Sequence, residues 1–425
     1  MLKLRINKKA SLQYILLYLL LLIPGSCAIA RYLNETIVYC IILALYSILF
    51  LLDKRYRSTY VSTFIFALLI ITMFIRLKTD GGVGIVSWLR YASVLAITYM
   101  AIACDKDNFL NRFIKIEVLF ATISLVFWTL FYFFPDLVDL WPATTYWTQD
   151  MGTAEWAVSY HGKGLWLYSY LEIHPTRNCG IYTEPGVHQI ILNAALFILL
   201  FWSDKLTFKN SKQYRLYLFI IIFALLSCQS TTGYIGMLII VLSFFIKTYS
   251  EAVNSVFLKK GRKFIIGISI IAILIIVINY VLEGTNSIFY QQVIYKLFGD
   301  GSTGGIDLSQ GTGRARIGTI LVSLLAISQD PFGIGYTQFE IMKNTFGNAL
   351  VAASITSYAA VYGIFSWAFS IYMIFKPVIK YSTRIISIVF VLNFVNTTLA
   401  QTYLLYPGLM IIPIYLSVVK KGVRR

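Results

Sequence analysis

Apolar runs about as long as a bilayer is thick recur down the whole chain, and nothing else constrains its fold as much. They lie near 11–30, 34–52, 59–75, 83–103, 113–134, 185–202, 215–230, 232–247, 264–282, 349–375, 384–401 and 403–419. A helix of about 20 apolar residues crosses the hydrocarbon core. Only helices and closed barrels can do so, because no water is there to satisfy an open backbone. Such runs leave 425 residues with two sizeable loops, 135–183 and 283–348, and no stretch polar enough for a soluble catalytic or nucleotide-binding domain. Only 13% of the residues are charged and the mean hydropathy is +0.73, whereas soluble domains carry about 25% charge. The expectation is one all-α polytopic membrane domain over 1–425, with about 12 transmembrane helices and two large outer loops containing interfacial helices.

Charge then orients the helices. Basic clusters stand at Lys3/Arg5/Lys8/Lys9, Lys54/Arg55/Arg57, Lys106/Arg112/Lys115, Lys205/Lys209/Lys212/Arg215, Lys247 with Lys259–Lys263, Lys376/Lys380/Arg384 and Lys420/Lys421/Arg424/Arg425. One falls at every second loop, the pattern that alternate crossings and the positive-inside rule require. These clusters hold most of the 36 Lys and Arg, while most of the 19 Asp and Glu lie elsewhere. The formal net charge of +17 is therefore a topology signal, and no nucleic-acid partner is expected. Both termini are expected in the cytoplasm.

Residues 315–327 are apolar enough to suggest one more span. Inserting it would place the Lys376–Arg384 cluster and the C-terminal tail outside, so the segment is expected to be an amphipathic helix lying at the outer surface. The N-terminus has features of a signal peptide, and Gly25-Ser26-Cys27 is faintly lipobox-like, but an uncleaved first span keeps the count intact. The five cysteines show no metal spacing and receive no role. Asp105-Lys106-Asp107 fits the loose Asp-x-Asp pattern of metal-dependent sugar transferases, yet it falls in a short cytoplasmic loop. No metal or other cofactor is expected.

Polar groups concentrate at the outer ends of the later spans. The densest run is His174-Pro175-Thr176-Arg177-Asn178-Cys179-Gly180-Ile181-Tyr182-Thr183-Glu184-Pro185-Gly186-Val187-His188. Pro185 suits a first helical turn, so Glu184 is expected at the N-terminus of a helix entering from outside, with His188 one turn on. Such a terminus attracts anions; a capped span with an interfacial arginine is the plainer alternative. Ser230-Thr231-Thr232-Gly233 opens another span, where Thr231 and Thr232 would bind phosphate or simply cap. Gly311-Thr312-Gly313-Arg314-Ala315-Arg316 precedes the interfacial helix. Two arginines there suit a phosphate-bearing headgroup, unless they only snorkel to the lipid surface. Asn393, Asn396, Thr397 and Gln401 share one face of a span, and Arg90 lies inside another. Buried polar residues in lipid line a cavity or join helices. The cavity is expected for Arg90, and either role for the asparagines.

In that combination and order the chain resembles the O-antigen polymerase and ligase superfamily of bacterial surface-polysaccharide assembly. The resemblance rests on Arg177 with Gly180–Gly186 at a span entrance and on Ser230–Gly233 opening a later span. It rests also on Arg314/Arg316 before a helix running into Pro331-Phe332-Gly333-Ile334-Gly335, and on a large outer loop before the last three spans. It covers roughly 175–365; the first five spans match only in being spans. It implies a GT-C type glycosyltransferase at the periplasmic face of the inner membrane, working without metal or nucleotide. The donor would be a glycan on undecaprenyl pyrophosphate and the acceptor a sugar hydroxyl of the next lipid-linked repeat unit. In the ligase branch the acceptor is the lipid A core. Ligases resemble one another in a His-Asn pair where this chain reads Thr345-Phe346-Gly347-Asn348-Ala349, with no histidine, which favours the Wzy-type polymerase.

On that resemblance Arg177, Arg314 and Arg316 would clamp the departing pyrophosphate, with Arg90 a weaker fourth. Glu184 would be the base or orient Arg177, with His188 available. Tyr182, Tyr336 and the asparagines Asn393 and Asn396 would contact substrate. Membrane lipid, a chain-length regulator and a flippase are the partners implied. A lipid-linked oligosaccharide flippase or other transporter is the alternative from another class, although the repeated halves common in transporters are not visible. A membrane acyltransferase would need a histidine constellation within the spans.

Overall fold

The computed structural model describes residues 8–23, 35–52, 57–79, 85–141, 143–149, 158–172, 174–250, parts of 266–290, 311–346, 353–402 and 404–419. Most of the expected run at 264–282, loop residues 291–310, the Gly347–Ala349 stretch and both basic tails lie outside them.

Helices α1 (Lys8–Leu22), α2 (Glu35–Leu52), α3 (Thr59–Thr79), α4 (Ile85–Cys104) and α5 (Phe109–Phe133) follow the first five apolar runs. After the first loop come α6 (Pro185–Phe201), α7 (Ser211–Ser227) and α8 (Thr231–Ser250). The second loop leads into α9 (Gly311–Gln329) and α10 (Gly335–Thr345). The remaining helices are α11 (Ser354–Tyr362), α12 (Ile364–Tyr381), α13 (Arg384–Ala400) and α14 (Pro407–Val419). Among the described residues α3, α5 and Thr231–Thr248 of α8 are long and apolar enough to cross a membrane, and shorter apolar helices include α6, α13 and α14. The faces suit lipid. On α3, Val61, Phe64, Leu68, Thr72 and Ile75 turn inward while Phe66, Phe74 and Leu77 (84% exposed) turn out, so a helix apolar all round meets protein on one side and an apolar medium on the other.

The helix ends sort by charge. Ser58, just before α3, donates through its hydroxyl to Ser417 O of α14 at 3.4 Å, and Tyr60 donates to Met373 O of α12 at 3.0 Å. Lys205 sits 4.4 Å from the Trp202 ring and 5.3 Å from that of Tyr415. Lys247 lies 5.8 Å from the Phe201 ring, and the Thr207 N–H donates to Asn111 Oδ1 at 2.7 Å. These contacts gather Arg57, Arg112, Lys205 and Lys247 at one end of the bundle.

Three features depart from expectation. The first loop folds as a three-stranded antiparallel sheet, β1 (Ala143–Gln149), β2 (Val158–Leu165) and β3 (Tyr168–Leu171), in the order β1-β2-β3, where interfacial helices were expected. Thr, Tyr, Trp, Ser and Val dominate these strands, and such residues favour a pleated surface. Tyr168 seats the sheet on the C-terminal end of α5, its ring 5.5 Å from Phe127, 5.8 Å from Phe131 and 6.2 Å from Trp141.

Within the run 349–375 the described residues, from 353 on, form two helices, α11 and α12, separated at Gly363 (φ 87°). There the Asp330–Gly335 turn presses backbone on backbone: the Ile334 N–H donates to Ala360 O at 3.0 Å and the Ile364 N–H to Pro331 O at 2.9 Å. A Cβ on Gly363 would stand 2.6 Å from Phe332 O, so only glycine permits this contact.

Helix α9 spans about 28 Å at 1.5 Å per residue, yet both its ends sit opposite the basic end. Arg316 reaches Thr232 at the start of α8, and Asp330 pairs with Lys78 in the last turn of α3. It therefore runs across the bundle instead of through it. Its polarity is the reverse of an amphipathic surface helix. Thr319, Val322, Ser323 and Ala326 are buried at i, i+3, i+4 and i+7, while Leu321 and Leu324 face outward.

Candidate functional site

The polar run 174–184 does not stay at the surface. The Trp128 indole N–H donates to Thr176 O at 2.8 Å. Farther down α5, Asn178 Nδ2 donates to Ser124 Oγ at 3.0 Å and to Ser227 Oγ at 2.9 Å. The Asn178 N–H donates to Ser227 O at 3.0 Å, its Oδ1 accepts from the Gly180 N–H at 2.9 Å, and the Ser169 N–H of β3 donates to Gly180 O at 2.7 Å. Irregular backbone inside an apolar bundle persists only when its polar groups are satisfied in this way. His188, in the first turn of α6, is level with Glu117, about 24 Å along α5 from Phe133. Helix α6 thus begins inside the bundle, at a depth that the sequence run alone does not indicate.

Pro185 opens α6, and Glu184 before it is extended (φ −150°, ψ 155°) without a side-chain capping bond. Its carbonyl accepts from the Val187 N–H at 3.1 Å. Helix α8 starts beside it. Ser230 Oγ accepts from the Gly233 N–H at 3.4 Å, so the serine caps. Asn193 Nδ2 donates to Gln189 Oε1 at 3.0 Å and to Gly233 O at 3.3 Å, joining the two helix starts. On the far side Asn396 Nδ2 donates to Thr232 O at 2.9 Å, and Gly186 packs against the Gln401 amide at the end of α13 with no room for a side chain.

Two arginines complete the arrangement. Arg316 Nη2 donates to Thr232 Oγ1 at 3.3 Å. Arg177 Nε donates to Cys228 O at 3.1 Å. Burial pushes the Arg177 guanidinium below its ordinary value, while Cys179, Cys228 and the Glu184 carboxylate favour its charge; an arginine so placed stays protonated at any physiological pH. Both guanidinium groups are thus held at the approach to α8, which Asn193 joins to the start of α6, and the Glu184 carboxylate lies near enough to Arg177 to favour its charge. Helix N-termini and guanidinium forks both bind phosphate oxygens.

No protein-family model, no curated protein and no solved structure matches this chain.

The remaining expected residues fall elsewhere. Tyr182 and His188 are buried, their rings 5.6 Å apart. Both turn inward toward Glu117, so neither offers a face to a sugar. Asn393 Oδ1 is buried with no hydrogen-bond partner among the described residues, beside Asn193 where both face Gly236. Thr231 is buried in the first turn of α8. Arg90 lies 5.9 Å from the Tyr39 ring and 5.6 Å from the Tyr406 ring. Tyr336 joins a separate aromatic group, its hydroxyl 2.8 Å from that of Tyr362 and its ring 4.8 Å from Trp88. The Arg314 side chain lies outside the described residues. Asp105 pairs with Arg112.

One residue escaped the sequence reading. Glu117 interrupts the apolar face of α5 two turns in, and there it is 1% exposed. An acidic residue inside a span is itself a functional signal; proximity to Arg112 and Lys115 hid it among flanking charges.

Proposed function

We propose that the chain is an oligosaccharide repeat-unit polymerase of surface-polysaccharide synthesis. On this reading it is a GT-C-like glycosyltransferase of the inner membrane with about twelve spans, both termini in the cytoplasm and its site at the periplasmic face. The basic helix ends gathered opposite α9 support that orientation. One observation carries the reading: Arg177, held by the Cys228 carbonyl just before α8, and Arg316, held by Thr232 in its first turn, both stand at the buried start of α8, to which Asn193 joins the start of α6.

The chemistry follows from that arrangement. The donor is a glycan on undecaprenyl pyrophosphate and the acceptor a sugar hydroxyl of a second lipid-linked repeat unit. The hydroxyl oxygen bonds to the donor's anomeric carbon as the bond from that carbon to the pyrophosphate oxygen breaks, and Glu184 takes the hydroxyl proton. Negative charge grows on the departing undecaprenyl pyrophosphate. Arg177 and Arg316 are fixed donors for it and the N-terminal dipoles of α6 and α8 add to them, the arrangement that stabilises a developing charge most effectively. Metal-independent transfer is part of this proposal.

The test is the surface-glycan ladder of a strain lacking the gene, beside the parent and a complemented strain. Loss of the ladder with survival of a single-repeat band supports polymerisation, since export and ligation still work. Loss of the single-repeat band as well moves the assignment to a ligase or a flippase. An unchanged ladder removes the proposal.

A further inference from the structure

Behind the arginine site the bundle holds a second group of reactive side chains that the proposed transfer does not use. Glu117 on α5 and His188 on α6 are each 1% exposed, with His188 Nε2 4.0 Å from Glu117 Oε1. Neither carboxyl oxygen has a hydrogen-bond partner among the described residues. A lone carboxylate in such surroundings is strongly disfavoured, whereas a carboxyl and an imidazole that hold one proton between them carry no net uncompensated charge. At 4.0 Å the two are just beyond direct hydrogen bonding, so a small rotation of either side chain links them.

His188 is also tied to the loop above it. Its Nδ1 lies 3.5 Å from Cys228 Sγ. Gly180 roofs the imidazole so closely that a Cβ there would stand 2.7 Å from Cε1. Asn178 and Gly180 flank Cys179 in the same turn as Arg177, and Cys228 supplies the carbonyl that holds the Arg177 guanidinium. Any movement of the imidazole is therefore felt at Arg177.

We propose that Glu117 and His188 share one proton and act together as a positioning pair for the loop that carries Arg177 and Glu184. The other titratable groups facing the pair are Tyr182 on the loop and Cys228 after α7, with Tyr18 of α1 beyond Tyr182 and Arg177 beyond Cys228. While the proton is present, the imidazole stays against Cys228 and under Gly180. Its loss leaves a buried carboxylate facing a neutral imidazole, and the loop shifts. The catalytic part of the test rests on the polymerase reading; the spectroscopic part does not.

The experiment uses the purified full-length protein in lipid. Infrared difference spectra across a pH titration are expected to show a buried protonated-carboxyl stretch that disappears in Glu117→Gln and moves in His188→Gln. A band unaffected by either substitution overturns the pair whatever else is observed. Elongation is then measured on undecaprenyl-pyrophosphate-linked repeat units taken from a strain lacking the gene. Glu117→Ala should slow elongation about 100-fold, the cost of a displacement of about 1 Å at a reacting centre. The isosteric Glu117→Gln should recover part of that rate and lack the alkaline fall of the parent. Elongation by Glu117→Ala at the parental rate, with the parental pH profile, overturns the positioning role. A parent that shows the band but makes no polymer overturns the polymerase reading and leaves the pair standing.

Discussion

Arg316 Nη2 stands 3.3 Å from Thr232 Oγ1, so the start of the helix that crosses the bundle opposite its basic end is tied to the N-terminus of α8. If the pair of arginines binds a departing pyrophosphate, Arg316→Ala and Arg177→Ala should each reduce elongation of lipid-linked repeats by about 10²- to 10³-fold, the range for removing one fixed donor to a developing charge. Lysine at either position should recover only part, because it lacks the planar fork. The assay is the gel ladder from purified protein, with membrane protein levels measured alongside. Long chains from both alanine variants at normal expression would remove the clamp.

Gly180 adopts φ +61°, and a Cβ there would stand 2.7 Å from the imidazole of His188. Gly180→Ala therefore meets both backbone strain and overlap, each worth about 1–3 kcal/mol, and should lower the melting temperature of the purified protein. The overlap has a single source. His188→Ala combined with Gly180→Ala should be less destabilising than the sum of the two single changes, a non-additivity that a double-mutant cycle reads directly. Strict additivity would mean that the cost is backbone strain alone.

The helices were legible because hydropathy is a local property, and α3, α5, α8 and α13 begin and end within a few residues of their apolar runs. The sheet in the first loop was not, since its anchor is Tyr168 packing on Phe127 and Phe131, a contact between segments about forty positions apart. Nor could spacing show that α6 starts inside the bundle, because that depth is set by Asn178 bonding to Ser124 and Ser227. Of the motif residues, Arg316 reaches Thr232, and the Glu184 carboxylate favours the charge of Arg177. Tyr336 and Arg90 stand apart from them, for their partners are aromatic rings on α2, α4, α11 and the approach to α14. Glu117 shows why charge counting misleads near helix ends: one turn separates a flanking charge from a buried one.

Asn396 donates to Thr232 O at 2.9 Å and so joins α13 to α8. Asn396→Ala should cost about 0.6–1.7 kcal/mol, the range for one hydrogen bond between helices in a membrane, and elongation should persist at a temperature where the variant stays folded. Thermal unfolding and the ladder together check this. Loss of elongation with unchanged stability would instead make Asn396 a substrate ligand.

Lys78 and Asp330 join the last turn of α3 to the turn after α9, and Lys78 Nζ also donates to Gly333 O at 3.2 Å. Partial burial pushes the Asp330 carboxyl up, but the hydrogen bond from Lys78, the Phe332 N–H and the lysine charge outweigh it and hold the group below its ordinary value. A carboxyl depressed in the folded state contributes stability that is full above the unfolded value of about 3.9 and is lost as pH falls through the lower folded value. The pair is about a third exposed, so its contribution is at most about 1 kcal/mol. Lys78→Ala should therefore melt slightly below the parent at neutral pH, and the two melting curves should converge on acidification. A difference that persists into acid would assign the effect of Lys78 to Gly333 O and to the Phe332 ring 5.9 Å away, neither of which titrates.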